Sequence, residues 1–298
     1  MEILQLQYFR TVARLQHMTK AAEELHIAQP ALSKTIARLE NDLGVPLFDR
    51  QGRKIALNAF GRAFLKKAEV ALSALEEGRK EVADMAGMEQ GSISIASPVL
   101  NRLSGPLGEF LARYPDIRLR LTQVPTEDLA GMLENGEADF CFTAYPVARP
   151  GIVEEPVLSE EVFLAVPPGH RFADRTGISL REAAGEPFIG YKKEHVFRQR
   201  DDALFRQAGM TPDFVCEVNE PSAKAALVRA GLGVAFVGAC NRSEEPPTAL
   251  MVRIPISEPA CSSSYLLAWH EKRYLSKAAQ AFRDFIRHYF SSGMDTET

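Results

Sequence analysis

The sequence predicts an α+β chain of several domains: a small helical head, one long linker helix and a C-terminal α/β body. Three observations carry this reading. Residues 18–58 set two short amphipathic helices before a basic strand-turn-strand. Residues 59–88 repeat small and apolar side chains at alternating steps of four and three. Beyond residue 90, short runs that alternate like strands are interleaved with helical ones.

In the head, Thr19 is placed to cap the first short helix, with Glu23 and Glu24 in its early turns, where negative charge suits the helix dipole. Ala21, Ala22 and Leu25 form its inward face, and His26-Ile27-Ala28 is the connection. Gln29-Pro30 opens the second helix, with proline in the first turn, where its missing N–H costs nothing. Ala31, Leu32, Ile36 and Leu39 fall on the inward side by 3.6-residue spacing. Gln29, Ser33, Lys34 and Arg38 fall on other faces, and they supply the amide, hydroxyl and cationic groups that bond base edges and phosphates. Leu43-Gly44 supplies a left-handed stop. Leu47 and Phe48 pack back, Arg50, Arg53 and Lys54 give the following turn three cations, and Ile55 and Leu57 alternate as a returning strand. Together these make a winged helix-turn-helix, a device that places one helix in a DNA major groove.

The charge distribution agrees. The 298 residues carry a formal net charge of −4, which by itself argues against general affinity for nucleic acid. Residues 1–68, however, hold 11 Lys+Arg against 6 Asp+Glu, a net of +5 that leaves −9 on the rest. A basic head on an acidic body confines phosphate attraction to the head. Hydrophobic residues make up 46% and charged residues 25%, the proportions of an ordinary globular chain. Cys141, Cys216, Cys240 and Cys261 are scattered, without a CxxC pair or a His/Cys cluster of metal-ligand spacing, and read as reduced structural thiols. No metal or cofactor is expected. Residues 1–17 lack the apolar core of a signal peptide and no segment stays apolar for ~18 residues, so the expected location is the cytoplasm, away from membrane.

Asn58 is the expected cap of a long helix running from Ala59 to about Met88. Phe64, Ala68, Ala71, Leu75, Gly78, Val82 and Met85 form a heptad seam. A lone helix with one apolar stripe needs a partner. Its own body is one candidate, and the steady 3.5-residue spacing favours a second copy of the chain.

A new domain is expected from Ser92. Strands are read at Ile93–Ala96, Ile117–Leu121 and Asp139–Thr143, with helices at Pro98–Tyr114 and Thr126–Asn135, the latter stopped by Gly136. This order signals a parallel α/β sheet. Val162–Val166 is another strand. A second set follows: strand Phe188–Gly190, helix His195–Ala208, strand Phe214–Val218, helix Pro221–Ala230 and strand Val234–Val237. Ser264–Trp269 is a late strand, Tyr274–Phe290 a closing amphipathic helix, and the tail SSGMDTET reads as disordered. The chain would cross between two lobes near 144–162 and return near 264, making a hinged clam.

Ligands of such sheets collect outside the carboxyl ends of strands, near helix N-termini. That rule selects Ser97 and Pro98 at the end of the first strand, Thr143 at the end of another, Lys192, Lys193, His195 and Arg198 around a helix start, and Asn219 as the cap of the Pro221 helix. Two helix N-termini with nearby cations favour a small anionic metabolite. Local roles compete: Ser97 and Asn219 as plain caps, Thr143 as a hinge hydroxyl, and His195 as a helix-start residue rather than a base.

The run AAEELHIAQPALSKTIARLENDLGVPLFDRQGRKIAL resembles the N-terminal signature of LysR-type transcriptional regulators. The matching positions are Ala21-Ala22, Leu25, Gln29-Pro30-Ala31, Ser33, Ile36, Leu39-Glu40, Leu43-Gly44, Leu47-Phe48 and Arg50. Ala28 departs from the Ser or Thr common at the recognition-helix cap, at a cost of about 0.5–2 kcal/mol of local stability. Length and domain order also fit. The resemblance implies a winged helix-turn-helix over 1–58, a dimerising linker helix over 59–89, and an effector domain over 90–298 of the periplasmic-binding-protein-like type 2 fold. Lobe I would take about 90–161 and 265–298, and lobe II about 162–264. The DNA contacts expected are Thr19, Gln29, Pro30, Ser33, Lys34, Arg38, Arg50, Arg53 and Lys54. The partners implied are double-stranded promoter DNA, a small effector, a second copy in a homodimer and further copies in a homotetramer, with RNA polymerase as a further candidate.

Two other classes were weighed. An α/β enzyme with an incidental helical N-terminus would need a catalytic motif, and the chain holds no GxSxG elbow, no GxGxxG after a strand, no HExxH and no phosphate loop. A cytoplasmic solute-binding protein would suit the lobes but leaves the DNA-reading head unexplained.

Overall fold

A computed structural model describes residues 1–51, 54–86, 91–239 and 251–292. Arg53, Cys240, the end of the linker at 87–90 and the tail from 293 fall outside the described residues.

The head consists of α1 (Ile3–Leu15), α2 (Met18–Glu24), α3 (Gln29–Leu43) and a hairpin of β1 (Phe48–Gln51) and β2 (Lys54–Leu57). The sequence reading had no counterpart for α1, which buries Leu6, Phe9 and Val12 against the pair that follows. Thr19 is not the cap of α2. The helix starts one residue earlier, His17 Nδ1 accepts the Lys20 amide at 3.3 Å, and Thr19 is exposed in the first turn. In α3, Leu32, Ile36 and Leu39 are wholly buried, but Ala31 is exposed. Ala31 precedes Leu32 by one position, which rotates it by about 100° off the i, i+4, i+7 stripe. Gly44 ends α3 in the left-handed conformation, at φ 73°.

Asn58 caps α4 (Ala59–Met85): its Oδ1 accepts the Gly61 amide at 2.8 Å, while its Nδ2 donates to the Pro46 carbonyl at 2.8 Å. One side chain therefore ties the hairpin to the linker. Phe64, Ala68 and Leu72 of α4 enter the head core with Phe9 and Phe48. The first turns of the seam are thus used within the chain, whereas Leu75, Val82 and Met85 remain exposed at 48%, 64% and 82%.

The body begins with β3 (Ser92–Ser97), a 3-10 turn at Leu100–Leu103, α5 (Ser104–Arg113), β4 (Arg118–Gln123), α6 (Thr126–Asn135) and β5 (Phe140–Thr143). The helix expected over Pro98–Tyr114 is therefore shorter and starts late. β3 pairs in parallel with both β4 and β5. Then β6 (Ile152–Val166) runs fifteen residues, far longer than the expected Val162–Val166. Its first two-thirds pair antiparallel with β12 (Ser262–His270); its last residues pair antiparallel with β10 (Ala235–Gly238) and β11 (Val252–Glu258). The sheet is mixed rather than parallel, because the strands that carry the chain between lobes run back against their neighbours.

The second lobe adds β7 (Ile178–Ser179), β8 (Pro187–Tyr191), α7 (Arg198–Gln207), β9 (Asp213–Val218) and α8 (Pro221–Arg229), and α9 (Lys277–Ser292) closes the chain on the first lobe. Strands β7 and β11 had not been expected. Each lobe has its own core: Phe110, Phe140, Phe142, Tyr265 and Phe282 in the first, and Leu164, Phe188, Phe205, Phe236 and Ile254 in the second. Phe197, from the segment before α7, crosses to pack edge-on against Tyr265 at 6.3 Å between ring centroids.

Candidate nucleic-acid face and inter-lobe cleft

The DNA-directed side of α3 follows from its core side. With Leu32, Ile36 and Leu39 wholly buried, Gln29, Pro30, Lys34 and Arg38 are exposed and Ser33 is half-buried. Ala28 precedes the helix without a side-chain cap bond; Pro30 has no N–H, and the Ala28 carbonyl instead accepts the Ala31 amide at 2.9 Å and the Leu32 amide at 3.2 Å. Glu40 Oε1 accepts the Leu47 amide at 2.8 Å and the Phe48 amide at 3.3 Å. That pair of bonds fixes where the hairpin leaves α3. Glu40 belongs to the signature run, yet its structural job could not be read from spacing alone. Arg50 and Lys54 lie in the paired strands, where Arg50 faces Ile55 and Gln51 faces Lys54 in register. Arg53 is outside the described residues.

In the body, the eight residues expected at the effector site separate. Ser97 is buried at the end of β3, where its Oγ accepts the Val99 amide at 2.9 Å, and Pro98 follows it. Thr143 is buried at the end of β5; its hydroxyl donates to the Tyr145 carbonyl at 3.0 Å and accepts the Tyr145 amide at 3.2 Å. Both hydroxyls are satisfied by the next turn of their own chain. His195 does not open a helix, because α7 starts three residues later. Instead it stacks on Tyr191 at 3.8 Å, and its Nδ1 accepts the Phe197 amide at 3.2 Å. Burial, then the Lys224 ammonium, lowers its pKa to about 4. Asn219 is exposed and does not cap α8, whose N-cap is Glu220 without a side-chain bond. Lys193 is exposed. Arg198 turns inward, held by Asp202 at 2.8 Å and by Glu217.

A cavity of about 280 Å³ opens between the lobes, and none of those eight residues lines it. Arg102, from the 3-10 turn of lobe I, stands on one wall; Arg200, Lys224, Arg229 and Arg253 come from lobe II. Arg102 Nε lies 3.2 Å from Glu160 of β6 and donates to the Tyr265 hydroxyl, also at 3.2 Å. Asp201, only 2% exposed, takes Arg200 on one oxygen at 2.6 Å and Lys224 on the other at 3.4 Å. The Lys224 ammonium sits 3.6 Å from the Tyr191 ring centroid, and burial draws its pKa down to about 8. Arg200 also donates to Ser263 at 2.8 Å and borders a second recess, of about 320 Å³, with Tyr145, Arg206 and Ser262. The sequence rule missed this cluster because its members come from a 3-10 turn, the early turns of α7 and α8, the end of α8 and the start of β11, and are scattered over about 150 positions.

Burial pushes Cys141 up to about 12 and Cys261 up to about 11, far from the thiolate that redox chemistry needs. Among the described residues no group of three or more His, Cys, Asp or Glu side chains is arranged to hold a metal, and no helix is long and apolar enough to cross a membrane.

Comparison with known proteins extends the picture along the whole chain. Residues 3–62 match the bacterial regulatory helix-turn-helix model of the lysR family, and residues 86–291 match the LysR substrate binding domain. YybE, an HTH-type transcriptional regulator of Bacillus subtilis (strain 168), is 38% identical over 98% of this chain and all of its own length. The RuBisCO operon transcriptional regulator of Allochromatium vinosum is 29% identical over 95% of this chain and 94% of its own. Among solved structures, the LysR family regulator CbnR has a TM-score of 0.73 at 25% identity, covering 97% of this chain and 99% of that one. CbnR complexed with its target DNA has a TM-score of 0.72 at 25% identity, with the same coverage.

Proposed function

The chain belongs to the LysR family of transcriptional regulators, and on that premise we propose that it reads a promoter through α3 and the hairpin and reports on an anionic metabolite held between its lobes. It is a DNA-binding regulator with an effector-binding domain, not an enzyme. The observation that carries the reading is the division of α3, with Leu32, Ile36 and Leu39 wholly buried and Gln29, Lys34 and Arg38 exposed. In this reading the head covers 1–58, the linker 59–89 and the effector domain 90–298.

Family members form oligomers. For this chain the reading is a cytoplasmic homodimer, joined through the exposed part of the α4 seam and paired again into a tetramer. Two such heads would meet a two-fold or near two-fold DNA site. An effector that binds one lobe arrangement better than another would shift the spacing of the heads, and so promoter output, RNA polymerase being the machine affected. Differential affinity for two states is what such a switch requires.

The contacts proposed in the head are Thr19, Gln29, Pro30, Ser33, Lys34, Arg38, Arg50, Arg53 and Lys54. Genomic footprinting of the purified chain identifies the site, and fluorescence anisotropy on that fragment sorts the contacts. Gln29→Ala or Ser33→Ala is expected to change sequence preference by about 1–3 kcal/mol. Arg53→Ala or Arg38→Ala is expected to weaken all sequences alike and to flatten the salt dependence by roughly one unit. Failure of the full chain to retain any promoter fragment at moderate salt overturns the reading.

A further inference from the structure

The hairpin is the part of the head least able to support itself. β1 and β2 are four residues each and form a two-stranded sheet of their own. Such a hairpin is marginal in water, so its ties to the rest of the head decide where it points. Those ties are of two kinds. Leu47, Phe48 and Ile55 are buried in the head core, where the Phe48 ring meets Phe9 edge-on at 5.5 Å between centroids. Apolar packing is non-directional, so it holds the hairpin on the head and tolerates a change of angle. The directional ties are hydrogen bonds, and they converge on one short run, Pro46-Leu47-Phe48.

That run is gripped from two sides. From the last turn of α3, Glu40 Oε1 accepts the Leu47 amide at 2.8 Å and the Phe48 amide at 3.3 Å. From the start of α4, Asn58 Nδ2 donates to the Pro46 carbonyl at 2.8 Å, and the Asn58 backbone N–H donates to the Leu47 carbonyl at 3.1 Å. Gly61, in the first turn of α4, seats that helix against the same Leu47 carbonyl, with no room for a Cβ. The backbone of one short run is thus held at once by the recognition helix and by the linker. Because Glu40 shares its helix with Gln29, Ser33 and Lys34, the angle of the hairpin is set relative to the side chains that face DNA.

We infer that Glu40 and Asn58 are positioning residues for DNA binding: without meeting DNA themselves, they fix the angle at which the hairpin reaches the phosphates beside the groove that α3 enters. The inference rests on the reading above that the hairpin contacts DNA. It assigns to two polar side chains a task that the apolar core beneath the hairpin does not perform.

Fluorescence anisotropy and hydroxyl-radical footprinting use the full chain and a duplex that it selects from random sequence. The parent is expected to protect a central tract, under α3, and flanking sugars, under the hairpin. Glu40→Ala is expected to lose the flanking protection, to bind about tenfold more weakly and to lower the salt slope by roughly one unit. Its ranking of single-base changes in the central tract stays that of the parent. Glu40→Gln removes the same charge but keeps an oxygen in the same place, and is expected to recover most of the loss. Asn58→Ser keeps a capping oxygen for α4 and removes the donor to Pro46. It is expected to lose flanking protection while its thermal midpoint stays near that of the parent, and it decides the matter if Glu40→Ala does not fold. A merely structural role would lower the thermal midpoint and the active fraction but leave the salt slope and the footprint of the active protein as in the parent, and that result overturns the inference. Glu40→Gln behaving like Glu40→Ala also overturns it, since charge rather than the held amides would then be responsible. A parent without flanking protection and indifferent to Arg53→Ala removes the hairpin reading itself, and the inference with it.

Discussion

Lys80 of the linker helix and Asp139 of the first lobe meet at 2.8 Å, both mostly shielded from solvent. The other Asp139 oxygen accepts the Ser94 amide at 2.7 Å, at the start of the body's first strand. The contact is one of several along the same side of α4. Arg273 reaches Glu77 and Ser73, and Asp84 accepts the Tyr274 hydroxyl and the Lys277 amide, each at 2.8 Å. The helix that carries the head is thus latched by polar groups to the lobe that forms one wall of the cleft.

Removing either side of that latch has unequal effects. Asp139→Ala is expected to destabilise the chain more than Lys80→Ala, because it also leaves the Ser94 amide without its acceptor, a difference of about 1–3 kcal/mol. Urea unfolding of both variants and of the double variant gives the coupling between them. Equal losses would show that the Ser94 bond contributes nothing.

The seam of α4 divides at the head. Ala68 is buried inside it, whereas Ala71, Leu75, Val82 and Met85 face solvent in the single chain, and off the seam Leu72 is buried. Leu75→Glu and Val82→Glu are expected to convert the proposed dimer to monomers in sedimentation velocity while the circular dichroism stays unchanged. A dimer that survives both changes would move its interface away from this helix.

Gly61 lies where α4 passes the hairpin, and a Cβ there would overlap the Leu47 carbonyl oxygen and the Leu57 side chain. Backbone cannot yield as a flexible side-chain tip can. Gly61→Ala is expected to cost about 1–3 kcal/mol despite the better helix propensity of alanine. Gly78, with nothing within 4 Å in the same helix, is the control, and Gly78→Ala leaves the folding of the single chain unharmed.

His195 sets an acid limit on lobe II. Its folded pKa is drawn down to about 4 by burial and by Lys224, below the ordinary 6.5. Between those values the unfolded chain takes up a proton that the folded chain refuses, so stability falls as the pH drops from 6.5 towards 4. Thermal unfolding of His195→Asn, compared with the parent at each pH, is expected to show a shallower decline over that window. Parallel curves would assign the acid sensitivity to other groups.

Much of the head was legible in order. Pro30 in the first turn of α3, Gly44 at its end and Asn58 as the cap of α4 are set by backbone chemistry within a few residues, and each falls where spacing places it. Thr19 failed as a cap because His17, two residues earlier, offered a competing acceptor to the same turn. Asn219 fails because α8 starts one residue later than its side chain could serve, with Glu220 at the N-cap making no side-chain bond. A shift of one or two residues in where a helix starts leaves no periodic trace.

The sequence by itself determined the helical head, its divided recognition helix, the linker and the alternation of strands and helices beyond it. These depend on turn chemistry and on apolar spacing, which act over a few residues. Only the tertiary structure decided that β6 spans both lobes, that α4 is latched to the first of them, and that Arg102, Arg200 and Lys224 face one cavity. Those are meetings of residues far apart in the chain, fixed by how the sheet folds back on itself, and no local pattern of side chains encodes them.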